Sequence, residues 1–146
     1  MKFAAHVHGH VVAVRWLAPD AEASAALGVL MQGAREQADR ELRLLLILGE
    51  DCPVPDGPTR KAMVADHERA MDSLAGVGVL VIGQSLRQSL FRALFAGLGL
   101  LMKPQARTSL HFCAGLDALL DFAEVEAKDS LLAGMLADGV LRDREL

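Results

Sequence analysis

One side chain in the longest loop of the sequence, the thiol of Cys52, could act as a nucleophile. A cysteine in that role needs a base such as His67 or His111 beside it, and surroundings that favour the thiolate. The neighbouring carboxylates of Glu50 and Asp51 would raise the pKa of the thiol instead of lowering it. The sequence therefore favours an inert loop cysteine, and an enzyme that uses this loop is the least favoured function.

Three histidines near the start of the chain, His6, His8 and His10, alternate with other residues. On one face of a strand this spacing would bring the imidazoles together, and neutral imidazole suits zinc, copper or nickel. However, Gly9 introduces a turn between them, and no cysteine or acidic residue lies in the same stretch. The pattern favours histidines on the surface of a hairpin, and no metal is predicted.

Ser85 and Gln88 form the S-x-x-Q pattern of a helix capping box, which satisfies backbone donors of the first helical turn. With Arg87 nearby, the same helix start could also hold an anion. Gly83 stands alone, however, and the sequence has neither a G-x-G-x-x-G nor a G-K-[ST] motif. Capping alone accounts for Ser85, and the sequence predicts no cofactor.

A series of strands that alternate with helices along the chain is expected to position these residues. The branched apolar run Val77–Ile82 does not alternate with polar residues, which predicts a strand covered on both faces. Two shorter runs joined at His8-Gly9 predict a hairpin, in which Arg15 is the lone charge and faces solvent. The predicted strands are Phe3–Val7, Val11–Leu17, Leu42–Leu48, Val77–Ile82 and Thr108–Cys113.

Each strand from the second onward is followed by a segment with helical periodicity. Asp20 is the N-cap candidate of the first helix, and Asp56 or Gly57 that of the second, which runs from about Thr59 to Ala75. Alternating elements of this kind predict parallel strands joined by right-handed crossovers.

The expected fold is therefore of the α/β class. It is a single domain with a mixed sheet of about five strands, built from an N-terminal hairpin and strand–helix units, with helices packed on the sheet. We assign residues 1–124 to this domain and residues 125–146 to a C-terminal helical extension that ends near Gly139. The extension packs either on its own domain or on a second copy of the chain.

The predicted helix Leu86–Met102 is apolar on nearly every side. Its main stripe, which includes Leu86, Leu90 and Leu98, is expected to lie in the core, whereas partial exposure would create an interaction or ligand face. The uninterrupted apolar run within it is far shorter than the about 20 residues that a membrane span needs. The candidate apolar interaction face consists of Phe91, Phe95, Leu98 and Met102.

The composition narrows the function classes. The chain has 146 residues, of which 52% are hydrophobic, so a disordered or fibrous protein is excluded. The net charge is −4 and no basic stripe is interleaved with aromatic residues, so nucleic acid is not an expected partner. Two cysteines are too few for a disulfide framework and no signal peptide is evident, which favours a cytoplasmic protein.

The order of elements, with a closing F-x-x-G-x-x-A-L-x-x-F pattern, resembles the STAS fold, in particular its SpoIIAA-like branch, which is related to the CRAL-TRIO lipid-binding lobe. The likeness covers about residues 1–124. It is carried by Phe3–Leu17, Leu42–Leu48, Val77–Met102, Phe112, Ala118, Leu119 and Phe122. The resemblance implies a bacterial, non-catalytic regulatory or protein-interaction module. In such proteins a Ser or Thr at the start of the helix after the second core strand is phosphorylated; here Thr59 is the only hydroxyl in that stretch, and the Ser-Gly pair of the family is missing.

In sheets with parallel strands, ligands collect beyond the carboxyl ends of the strands. The loops expected there are Gly49–Pro58, Gly83–Ser85 and Ala114–Gly115. The candidate rim for a ligand or partner comprises Asp51, Cys52, Thr59, Gln84, Ser85 and Arg87. The favoured function is a module that binds another protein or itself; the alternative is a carrier or sensor of a small apolar, lipid-like ligand.

Overall fold

Five strands form one mixed sheet in the computed structural model, which describes residues 2–70, 74–83, 86, 88–93 and 110–146. The strands are β1 (Phe3–His8), β2 (Val11–Trp16), β3 (Leu42–Leu48), β4 (Leu74–Val81) and β5 (Leu110–Phe112). They lie side by side in chain order; β1 pairs antiparallel with β2, and every later pair is parallel. The predicted mixed sheet with an N-terminal hairpin is confirmed.

Helices follow the strands from β2 onward. The helices of the described residues are α1 (Ala21–Gln37), α2 (Gly57–Ala70), α3 (88–93), α4 (Leu116–Phe122) and α5 (Lys128–Ala137), with a 3-10 turn at Asp143–Glu145. Asp20 caps α1 as predicted, because its Oδ1 accepts a hydrogen bond of 2.8 Å from the Ala23 N–H. Asp56 serves α2 in the same way, accepting from the Thr59 N–H at 2.8 Å.

The hairpin turns one residue later than predicted. The strands end at His8 and resume at Val11, so Gly9 and His10 form the two-residue connection, with Gly9 at a φ of +58°. Positive φ at the first of the two central positions is typical of a type II′ turn, which suits the right-handed twist of a hairpin.

Strand order dictates which helices share a face. Successive right-handed crossovers that all move in the same direction across a sheet place their helices on one face. Side chains from α1, α2 and α3 accordingly pack against one face of the sheet, and α4, α5 and the residues after α5 pack against the other. Adjacent residues of β2 alternate between the two layers: Val12 and Val14 contact the first, Val11 and Ala13 the second.

The C-terminal extension packs on its own sheet. Leu131 and Met135 of α5 are fully buried, and so is Val140 beyond it. The helix ends in a Schellman motif: Gly139 has a φ of +77°, and the N–H of Val140 donates to the carbonyl of Met135 at 2.8 Å. This turn reverses the chain and directs residues 140–146 toward the carboxyl ends of the strands.

Candidate functional site

The carboxyl ends of the four parallel strands meet at one edge of the sheet, as expected from the sequence. These ends are Trp16, Leu48, Val81 and Phe112, and the loop after Leu48 rises from this edge. The order of the described strands does not reverse, so among them this edge lacks the crevice that a topological switch point creates in doubly wound sheets.

Arg15 lies buried near this edge, and the prediction that it faces solvent is wrong. Its side chain is 1% exposed, because residues after α5 cover the face of β2 to which it points. The guanidinium donates from Nη1 to Oε1 of Glu145 at 2.7 Å and from Nη2 to Oδ1 of Asp51 at 3.1 Å. A Cβ at position 49 would overlap Nη2 of Arg15, so Gly49 leaves the space that the guanidinium occupies.

Arg142 completes this ionic cluster, which we call the Arg15 clasp: Arg15, Asp51, Arg142 and Glu145. Arg142 donates from Nη2 to Oδ2 of Asp51 at 2.6 Å, and its backbone N–H donates to Oε1 of Glu145 at 2.8 Å. The hydrogen bond from Arg142, reinforced by Arg15, lowers the pKa of Asp51 to about 2. The clasp therefore ties residues 142–145 to β2 and to the loop after β3.

Cys52 lies in the loop after β3, as the sequence indicates, but its side chain is buried in the hydrophobic core. It is 0% exposed and belongs to the layer beneath α1 and α2. Its Sγ is 3.6 Å from the carbonyl oxygen of Pro53. A thiol in this position packs as a small apolar group and is not accessible to a substrate.

Thr59 is also buried, at 8% exposure in the first turn of α2. Its hydroxyl and its backbone N–H both bond to Asp56, and these hydrogen bonds lower the pKa of the Asp56 carboxyl. Phosphorylation of Thr59 would require this first turn to open, because the hydroxyl is engaged inside it.

Of the other candidates on the rim, Gln84, Ser85 and Arg87 lie outside the described residues, and the capping box at Ser85 stays a prediction. Beside them, α3 is anchored to the end of β4. The side-chain amide of Gln88 donates to the Ile82 carbonyl. Arg92 donates from Nη2 to the carbonyl oxygens of Val81 and Gly83, at 3.0 and 2.8 Å.

The apolar helix is turned differently from the prediction. Phe91 is 1% exposed and packs in the core, so it does not contribute to an exposed interaction face. Leu86 and Leu90, which were expected on the buried stripe, are 79% and 56% exposed. The remaining members of the candidate face, Phe95, Leu98 and Met102, lie outside the described residues, as does most of the helix that would roof a cavity for an apolar ligand.

Two of the three N-terminal histidines are neighbours, with the ring centroids of His6 and His8 6.2 Å apart, whereas His10 makes a separate contact. His6 pairs through Nδ1 with Oδ2 of Asp138 at 2.7 Å, and Nε2 of His10 bonds to the Ala123 carbonyl at 2.9 Å. Among the described residues, no group of three or more His, Cys, Asp or Glu side chains is arranged to hold a metal ion. His111 is exposed, and its ring lies 5.1 Å from that of Phe122.

Comparison with known proteins does not assign this chain to a family. No family model, curated protein or solved structure matches this chain. Within the parts of the chain that the structure describes, none of the helices is sufficiently long and apolar to cross a bilayer.

The sequence analysis placed Asp51 at this edge of the sheet but did not identify the other three residues of the clasp, which are Arg15, Arg142 and Glu145. One feature of the sequence did indicate a buried ion pair at Arg15. A single arginine in a strand whose neighbours are all apolar has to find a carboxylate if both faces of the strand are covered. The pattern does not reveal that the carboxylate lies in the 3-10 turn beyond α5.

Proposed function

We propose that this chain is a non-catalytic protein-interaction module of the STAS type, close to the SpoIIAA-like branch. The mixed five-stranded sheet agrees with the fold that this resemblance implies. The observation that carries the proposal is the contrast between two kinds of side chain at the same edge of the sheet. The polar groups of the clasp bond to one another, whereas two large apolar side chains beside the end of β4 face solvent.

The apolar groups are Leu86 and Leu90, one helical turn apart beside the carboxyl end of β4. Single exposed hydrophobic residues are common on protein surfaces, but neighbouring leucines on one helix face form a contiguous apolar surface. Burying this surface against another apolar surface would stabilise the association by about 25 cal/mol for each Å² that is removed from water. We call the exposed surface of these two leucines the Leu86–Leu90 face.

The buried state of Cys52 and Thr59 also favours binding over catalysis. Each carries a group that could be modified covalently, and both are enclosed by the fold. Among the rim residues that the structure describes, Asp51 remains accessible, and its carboxylate is paired with two arginines.

A double variant, Leu86→Ser with Leu90→Ser, tests this proposal. The matched control is Val29→Ser on α1, since Val29 is 76% exposed and lies away from this face. Sedimentation equilibrium over a range of concentrations, together with affinity capture from the native host, should show a self-association or a captured protein that the double variant loses and the control keeps. A monomer with no capture that depends on these leucines would refute the proposal. A lipid-like mass bound in native mass spectrometry would favour the apolar-ligand carrier instead.

A further inference from the structure

A groove runs between α1 and α2 on the outer surface of the helical layer, away from the Leu86–Leu90 face. It has a volume of about 370 Å³, within the range of small-molecule pockets. Its floor includes Met31 and the buried Leu42, and Ser24 and Arg35 of α1 face Asp66 and Arg69 of α2 across it. We call it the α1–α2 groove.

A glycine keeps this groove open. Gly28 lines it, and a Cβ placed on Gly28 would meet no atom within 4 Å. Neither a positive φ nor close helix packing requires glycine here, although glycine inside a helix costs about 0.5–1 kcal/mol relative to alanine. A larger side chain at this position would project into the groove and fill it.

The charges in the groove favour an anion. Both carboxylate oxygens of Asp66 are engaged, one by the Ser24 hydroxyl and the other by the guanidinium of Arg69. Arg35 adds a second cation on the opposite wall, so the charged side chains that line the groove sum to +1, from two arginines and one aspartate. This positive site lies on a chain whose net charge is −4.

We propose that the α1–α2 groove binds a small organic anion, with its charged group on Arg35 and its apolar part on Met31 and Leu42. Arginine presents several donors in one plane, which suits a carboxylate, sulfonate or phosphate group. The apolar floor contributes hydrophobic contact that a bare inorganic ion cannot use. The site is independent of the proposed protein-binding function, because it shares no residue with the Leu86–Leu90 face.

The test uses 1-anilinonaphthalene-8-sulfonate as the probe, with N-phenyl-1-naphthylamine as its uncharged counterpart. Saturable fluorescence binding of the sulfonate should be abolished by Gly28→Leu and kept by Gly33→Leu. Gly33 is the matched control, since it lies in the same helix, is equally open and does not line the groove. Both variants place a better helix former in α1, so both are expected to fold.

The charge requirement is tested separately. Arg35→Gln should weaken sulfonate binding about threefold, a size expected for one exposed charge-assisted contact. The uncharged probe should bind more weakly than the sulfonate and should not respond to this variant. Amide chemical shift changes in the wild-type protein should centre on residues 24–35 and 66–69. The proposal is overturned if Gly28→Leu binds like wild type, if shift changes centre on residues 86–93, or if no saturable binding occurs at millimolar probe.

Discussion

Replacing Glu145 by glutamine removes one of the two carboxylates that face Arg15 in the clasp. The side chains of Arg15 and Glu145 are 1% and 6% exposed. Removal of one partner from a buried ion pair costs about 3–5 kcal/mol, because the other charge stays buried. Asp51 still faces the guanidinium, so we expect the free energy of unfolding to fall by about 2–3 kcal/mol. For a domain of this size the melting temperature should drop by about 6–9 °C.

Thermal and urea unfolding followed by circular dichroism would measure this loss. The matched control is Glu22→Gln, which alters an ion pair with Lys2 in which Glu22 is 85% exposed; it should change stability by less than about 0.5 kcal/mol. A double-mutant cycle with Arg15→Met should give a coupling energy above about 1 kcal/mol. If Glu145→Gln destabilises no more than Glu22→Gln, or if the cycle shows no coupling, the clasp does not hold the C-terminal segment to the sheet.

Three further predictions concern burial and charge. Phe91→Ala should cost about 3–5 kcal/mol of unfolding free energy, whereas Leu90→Ala should cost under about 1 kcal/mol; similar urea midpoints for the two variants would contradict the observed orientation of α3. Cys52→Ser should cost about 1–3 kcal/mol because it buries a hydroxyl, and in a Cys113→Ser background the Cys52 thiol should react with a disulfide reagent only upon unfolding; fast reaction of Cys52 in the native state would contradict burial. The pKa of Asp51 is lowered from 3.8 to about 2, so its stabilising contribution is complete above about pH 4 and is lost as the pH falls through about 2. Asp51→Asn should therefore reduce stability at pH 7 and leave it nearly unchanged at pH 2, and an equal loss at both pH values would rule out this linkage.

The sheet could be predicted because its signals are local. Unbroken apolar runs such as residues 44–48 of β3 carry the information that a strand is covered on both faces, whatever covers it. Caps at Asp20 and Asp56 depend on residues three positions away and were equally readable from the sequence.

The errors came from residues whose environment is set by distant parts of the chain. Arg15 is buried because residues 130 positions later cover it, and no periodicity within β2 reports that contact. The loop around Cys52 contains Glu50, Asp51 and Asp56, yet the Cys52 side chain is buried among the core residues beneath α1 and α2. In the sequence of the predicted helix Leu86–Met102, apolar residues occur on nearly every side, so the helical period does not define which of Leu90 and Phe91 faces the sheet.

The long span between the two partners of the Arg15–Glu145 ion pair has a kinetic consequence. The loop that this contact closes contains 130 positions, whereas the parallel strands pair with their neighbours in sequence. Chain entropy opposes such a distant closure until the sheet has already formed, so the contact belongs to the late, native side of the folding barrier. Loss of the pair should then accelerate unfolding while the refolding rate stays nearly constant. The lifetime of the native state, more than the speed with which it is reached, depends on these few residues at the edge of the sheet.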